Sequence, residues 1–424
     1  MKRFLILFFA IGILLKLTAQ PYNNIAYENR TYVHGLESIK LTPSSAPLGY
    51  PIIELGSGET LKLVFDDLLS NDNRYLKYTV IHCTHDWKPS DLSTFDYIDG
   101  YTEDELTNHS YSFNTVQSYV HYELEFPNEM LNISKSGNYL LFVYDETTDN
   151  PILTRRFMVK ESTAVVSGIV HAASDIRYRN TGQEVDFIVN TPQAIRDPAR
   201  NLRANIMQNG RWDNAIIGLH YRYGKPGEYN FDYDENENSF YGSSEFRTFS
   251  LKSLRYNGDR IASIRYDGNS YYALVLEDIA RPYGAYQGVT TLKGKCYWET
   301  SDYSGENRED YILTRFSLKC DFPVTGGSIY VFGELTDWTI QDDAKLEYNP
   351  STNYWEAELY LKQGLYNYQY VFVHDGSTEI DATFIEGSHW ETHNDYGVFV
   401  YLNDETSLYD RLIGVEFFYE VKGR

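Results

Sequence analysis

Arg74-Tyr75-Leu76-Lys77-Tyr78-Thr79-Val80-Ile81-His82-Cys83 and Ser118-Tyr119-Val120-His121-Tyr122-Glu123-Leu124-Glu125-Phe126 decide the fold. Both runs are β-branched and aromatic, and they alternate polar with apolar residues, the pattern of half-buried strands. Between them lie the 35 residues from Thr84 to Ser118, which have no sustained apolar period but carry Trp87, Phe95, Tyr97, Tyr101, Tyr111 and Phe113. Connections this long inside compact domains are either functional or disordered, and six large aromatics argue against disorder. The expectation is an ordered loop that docks on something, with those six aromatics as the partner-binding residues.

Working outward, Glu37 to Leu41 and Glu59 to Asp66 read as strands, and Thr42 to Pro51 breaks any regular element. Ser136 to Tyr144 and Ile152 to Val159 follow, joined by a polar turn at Asp149-Asn150-Pro151. Short strands punctuated by turns indicate a β-sandwich over residues 20–160. Further strand patterns at Ala164 to Val170, Glu184 to Val189, Leu202 to Met207, Phe246 to Phe249, Ser270 to Leu276 and Thr291 to Trp298 suggest a second β domain over 161–308. The polar run Thr300 to Arg308 marks the next boundary, with a third domain over 309–424. The fold class read from this pattern is all-β, in tandem sandwiches.

Lys2 and Arg3, the apolar run Phe4 to Leu15 and the small residues Thr18-Ala19 form a secretory signal over 1–19. The apolar run is too short for a membrane span, so the mature chain is expected to be exported without inserting in a membrane itself. Loss of Lys2, Arg3 and Lys16 takes the formal charge from -23 to -26 (-23 minus 3). That acidity repels nucleic acid and anionic lipid surfaces, and it suits a protein partner. The 39 tyrosines fit sheet faces and binding surfaces far better than helices. Cys83, Cys296 and Cys320 are too few for a disulfide framework; they leave room for one bridge, Cys296–Cys320, with Cys83 a buried thiol in its strand.

Several residues carry a resemblance. Ile81-His82-Cys83-Thr84-His85-Asp86-Trp87-Lys88-Pro89-Ser90, Ser112-Phe113-Asn114-Thr115 with Tyr119 and His121-Tyr122, Ser136-Gly137-Asn138-Tyr139, Arg155-Arg156-Phe157-Met158-Val159 and Glu245-Phe246-Arg247 resemble the plug protein family of the type IX secretion system. The resemblance covers almost the whole mature chain. It implies a non-catalytic periplasmic β protein, held at the outer membrane through a partner, the translocon barrel, whose periplasmic end it closes when the channel carries no cargo-receiving partner.

The last segment has its own signature. Gly327 to Trp338, Asn353 to Leu361, a Lys362-Gln363-Gly364 turn and Leu365 to Val373 before Asp375-Gly376 are similar to the glycogen-binding modules of the early-set immunoglobulin-like class. In those modules a tryptophan stacks on sugar, a lysine follows in the next strand and a second aromatic follows the Asp-Gly turn. Trp338 matches the first, whereas Gln369 and Ser377-Thr378 replace the others. One aromatic plane supplies about 1 to 2 kcal/mol, short of the roughly 4 that millimolar binding requires. Glycan binding through Trp338 is therefore the alternative reading, with a retained scaffold preferred.

No constellation reaches catalytic or metal-binding specificity. His82 and His85 fall on opposite strand faces, His389 and His393 lack a helical setting, and Asp232 to Asn238 starts like a calcium loop but has Glu237 where the turn glycine belongs. No enzyme activity, cofactor or metal is expected.

Overall fold

Leu76–Cys83 and Val120–Phe126 both form strands, but in opposite sheets of one sandwich. In this computed structural model, which describes residues 25–70, 72–403, 407–419, 421 and 422, the first sheet runs Arg30–Thr31, Pro151–Lys160, Gly137–Asp145, Leu76–Cys83, Asp104–Leu106. The facing sheet runs Leu36–Pro43, Leu61–Asp67, Val120–Phe126, His109–Tyr111. Alternation sends Leu61, Leu63 and Phe65 from one sheet and Tyr78, Val80, Leu141 and Val143 from the other into a shared core. The signal segment expected over 1–19 lies outside the described residues.

The run Tyr139-Leu140-Leu141-Phe142-Val143-Tyr144 does not alternate, because its strand is buried on both faces. Tyr139, Leu141 and Val143 face the sandwich interior, while Leu140, Phe142 and Tyr144 join Ile81, Cys83 and Met158 in a separate cluster with Met207, Phe399, Tyr401 and Leu412 of the next sandwich. A sheet covered on both sides loses the polar half of its pattern.

The domain boundaries expected at 160/161, 308/309 and the C-terminus need correction beyond the first sandwich. One sheet of the middle sandwich runs Arg211–Leu219, Leu202–Gln208, Tyr396–Leu402, Arg411–Phe418, so the end of the chain returns to it. Its facing sheet is built on Val165–Ala172 and Gly182–Asn190. The third sandwich is inserted between these halves. Arg247–Ser250 and Cys296–Trp298 pair with Gly364–His374, and Tyr271–Val275 lies parallel to Tyr311–Lys319. Residues 309–424 therefore do not make a unit. The polar run Thr300 to Arg308, read as a linker, is tied down internally: the Asp302 carboxylate accepts hydrogen bonds from Ser253 Oγ and the Leu254 amide, both at 2.6 Å.

Polar bonds join the sandwiches. Asp66, fully buried in the first, accepts from His121 Nδ1 at 2.6 Å and from Lys362 Nζ and the Tyr311 hydroxyl of the third, both at 2.7 Å. Burial would raise the Asp66 carboxyl, but Lys362 and His121 outweigh it and hold it below the usual carboxylate range. Arg155 reaches Asp337 across the same seam at 2.9 Å. All three cysteines are free thiols, so the Cys296–Cys320 bridge does not form; burial pushes the Cys83 thiol up to about 12.

Candidate partner-binding surface

Thr84 to Ser118 is woven into the first sandwich. Asp104–Leu106 adds an edge strand beside Leu76–Tyr78, His109–Tyr111 adds one beside Val120–Tyr122, and Ile98–Gly100 pairs with Leu131–Ile133. A helical turn, Thr94–Tyr97, is started by a reciprocal cap in which Ser93 and Asp96 bond each other's backbone and side chain. The segment thus gains its order from ladder bonds, as the six aromatics alone could not reveal.

Two of those six aromatics are buried, which corrects their assignment as partner contacts. Trp87, 4% exposed, meets Trp212 of the middle sandwich edge to face at 4.9 Å, and the Arg156 guanidinium lies 4.6 Å over its ring. Tyr97, 3% exposed, packs on Tyr139 and His82 and donates its hydroxyl to the Val80 carbonyl at 3.3 Å. Part of what the loop docks on is therefore its own chain. At the other end, the Phe113 amide donates to the Asn307 carbonyl at 2.9 Å, and the Asp310 carboxylate accepts from the Val116 amide at 2.6 Å and the Gln117 amide at 3.1 Å.

Phe95, Tyr101, Tyr111 and Phe113 remain exposed, at 81%, 67%, 52% and 60%. Phe113 is partly shielded by Arg308, whose guanidinium lies 4.6 Å over the ring. The Tyr101 amide bonds to the Met130 carbonyl at 2.7 Å, which brings the half-exposed Met130 beside the aromatic segment. Met130 sits in a Pro127-Asn128-Glu129 turn with no periodicity, so no sequence signal pointed to it. Charge along the segment is mainly acidic, from Asp91, Asp96, Asp99, Glu103, Asp104 and Glu105. Hydrogen bonds from Ser93 hold Asp96 low, and those from Tyr144 and Lys77 hold Glu103 low, so both stay ionised.

The quoted motifs of the first sandwich converge on the seam with the middle one. His82, 1% exposed, sits with Nδ1 2.9 Å from Ser90 Oγ and Nε2 3.1 Å from the Ser136 carbonyl. The Asp410 carboxylate accepts from both the His85 amide at 2.7 Å and its Nδ1 at 2.9 Å. Gly137 has φ +138°, and a Cβ there would stand 2.5 Å from His82 Nε2 and 3.0 Å from the Asp410 carbonyl, so no side chain fits. The Asn138 amide donates to the Thr84 carbonyl at 3.1 Å and accepts from the Tyr401 hydroxyl at 2.8 Å.

Trp338 is not laid open for stacking. Its ring meets Phe332 at 5.5 Å and Phe246 at 6.0 Å, both near-perpendicular, next to the Asp337 that pairs with Arg155. Two carboxylates of the acidic loop are in ion pairs: Asp234 and Glu237 meet Arg222 at 2.9 and 3.7 Å. His393 Nδ1 meets Glu245 at 2.8 Å, with no second histidine at that carboxylate. Among the described residues no helix is long and apolar enough to cross a membrane.

Residues 36–161 match the family model described as the type 9 secretion system plug protein first domain, and these bounds coincide with the strands of the first sandwich from Leu36 to Lys160. The structure is similar to the crystal structure of a hypothetical protein from Parabacteroides merdae ATCC 43184, with a TM-score of 0.88 and 30% identity, covering 93% of this chain and 100% of that one. No curated protein matches. With all the motif residues but Glu245-Phe246-Arg247 placed in that first sandwich and the likeness extending over the inserted third, the chain belongs to the type IX secretion system plug protein family, and its role lies in that secretion system.

Proposed function

We propose that the protein is a non-catalytic periplasmic plug subunit that binds the outer-membrane translocon barrel of the type IX secretion system and closes its periplasmic end. The observation that carries this reading is the exposure of Phe95, Tyr101, Tyr111 and Phe113 on a segment pinned into both sheets of the first sandwich. Aromatics held on a rigid scaffold give large contact area at little entropic cost, which is how interface anchors work. The ion-paired buried carboxylates Asp66 and Glu386 support a role in contact instead of bond-making. Each is held low against its own burial by cations, Lys362 with His121 for Asp66 and Arg247 with Arg281 for Glu386, and each bonds elements of the fold to one another.

Affinity purification of the tagged chain from the native envelope, followed by mass spectrometry, tests the partner. The expected result is recovery of a large outer-membrane barrel with the chain. Recovery of the chain always alone, or substrate turnover that depends on one of its ionisable groups, overturns the reading.

A further inference from the structure

We infer that the middle sandwich contains a site for one zinc ion, built by His171, Glu184 and Asp186 and completed by an oxygen of Asn238 or Ser239. His171 stands directly opposite Glu184 in the pairing of Val165–Ala172 with Gly182–Asn190, and Ser239 stands opposite Glu184 on its other side. Asp186 lies two residues along the same strand and so shares that face. The opposite face carries Val170, Val185 and Phe187 into the core, which leaves the polar set together on the other face. The ligand atoms of His171, Glu184 and Asp186 all lie within 4.8 Å of one another.

The second observation is a set of buried oxygens without hydrogen bonds. Glu184, 1% exposed, has its Oε2 bonded by the Ser174 amide at 2.6 Å, but its Oε1 has no partner. Asn238, fully buried, donates its amide to Asp186 Oδ1 at 3.0 Å and to the Val185 carbonyl at 2.8 Å, while its Oδ1 is unpaired. Ser239 Oγ is unpaired as well. Leaving one such atom buried costs about 1 to 3 kcal/mol, so three in adjoining positions mark a space that a cation would satisfy.

The histidine is oriented for it. His171 Nδ1 lies 2.8 Å from the Ala172 carbonyl, which only accepts, so Nδ1 carries the proton and the lone pair of the neutral ring is on Nε2. Nε2 faces Asp186 Oδ2 at 2.6 Å, an ion pair when the ring is protonated, and a cation bound there would take the place of that proton. A backbone carbonyl on one ring nitrogen and a carboxylate-lined space at the other is the arrangement that presents imidazole to a metal. One nitrogen with two carboxylates leaves a fourth position for an amide or hydroxyl oxygen, a set that suits tetrahedral zinc at about 2.0 to 2.2 Å; the imidazole argues against calcium and magnesium. The ion would clamp the two central strands of this sheet to the segment that brings Asn238 and Ser239.

Isothermal titration of the purified, EDTA-stripped chain with zinc chloride is expected to show one tight equivalent per chain and a rise in melting temperature. Glu184→Gln and His171→Asn are each expected to weaken that equivalent at least tenfold and abolish the melting shift. Absence of stoichiometric binding by the wild type, or equal binding by folded variants, overturns the site. Should the variants not fold, anomalous scattering at the zinc edge from wild-type crystals decides: a peak between His171 and Glu184 supports the site, and a peak elsewhere or none refutes it.

Discussion

His82 is a neutral imidazole sealed into the fold. Burial lowers it to about 4, against about 6.5 in an unfolded chain. Between those values the unfolded chain takes up a proton that the folded one does not, so stability falls as pH drops from 6.5 to 4, by about 3 kcal/mol for a 2.5-unit shift. Asp66 and Asp410 act lower down. Burial would raise both, yet Lys362 with His121 and His85, respectively, hold them below their usual range; their contribution is complete above about pH 4 and is lost as pH falls through their folded values. Urea melts of wild type and His82→Gln at pH 7 and pH 5 check the histidine. The wild type should lose stability between these values and the variant should lose measurably less; equal losses would remove His82 from the account. That His82 sits in a strand was legible from the alternation of Leu76 to Cys83. Its acceptor, the Ser136 carbonyl, was not, because Ser136 becomes a neighbour only when Gly137–Asp145 pairs with Leu76–Cys83.

At the scale of elements, Thr84 to Ser118 shows what pattern reading captures and what it misses. Its order was legible from its aromatic content. The three short strands within it were not, since strands of three residues show no period. Trp87 and Phe95 look equivalent in the sequence, and only the position of Trp212 on a distant strand separates them. Trp87→Ala should destabilise the chain by about 3 to 5 kcal/mol, the cost of emptying an aromatic site in a core. Phe95→Ala should change stability by no more than about 0.5 kcal/mol, as for a surface substitution. Thermal melts of the two variants give the comparison, and similar losses would contradict the division into buried and exposed aromatics. The proposed zinc site was hidden for a related reason: His171, Glu184 and Ser239 come from three strands, and each looks ordinary alone.

For the whole molecule, the strands were legible but their partners were not. Nothing in composition marks residue 242 or 395 as the place where one sandwich is interrupted and resumed, because the interruption is a matter of which strands pair. The seams explain why an inserted sandwich can hold its place. Lys362 brings a charge from the third sandwich to a buried carboxylate of the first, and removing one member of such a pair strands the other. Lys362→Met should cost about 3 to 5 kcal/mol, and adding Asp66→Asn should recover part of that loss. Urea denaturation of the single and double variants measures it. Additive losses would show that the pair does not couple the two sandwiches.

The central claim is that the exposed aromatics of one pinned segment meet the barrel. Its most direct test compares native-envelope recovery of the barrel by wild type and by a Phe95→Ala, Tyr101→Ala, Tyr111→Ala, Phe113→Ala variant with an unchanged melting temperature. The account predicts at least a tenfold drop in barrel recovered with the variant. Undiminished recovery would contradict it.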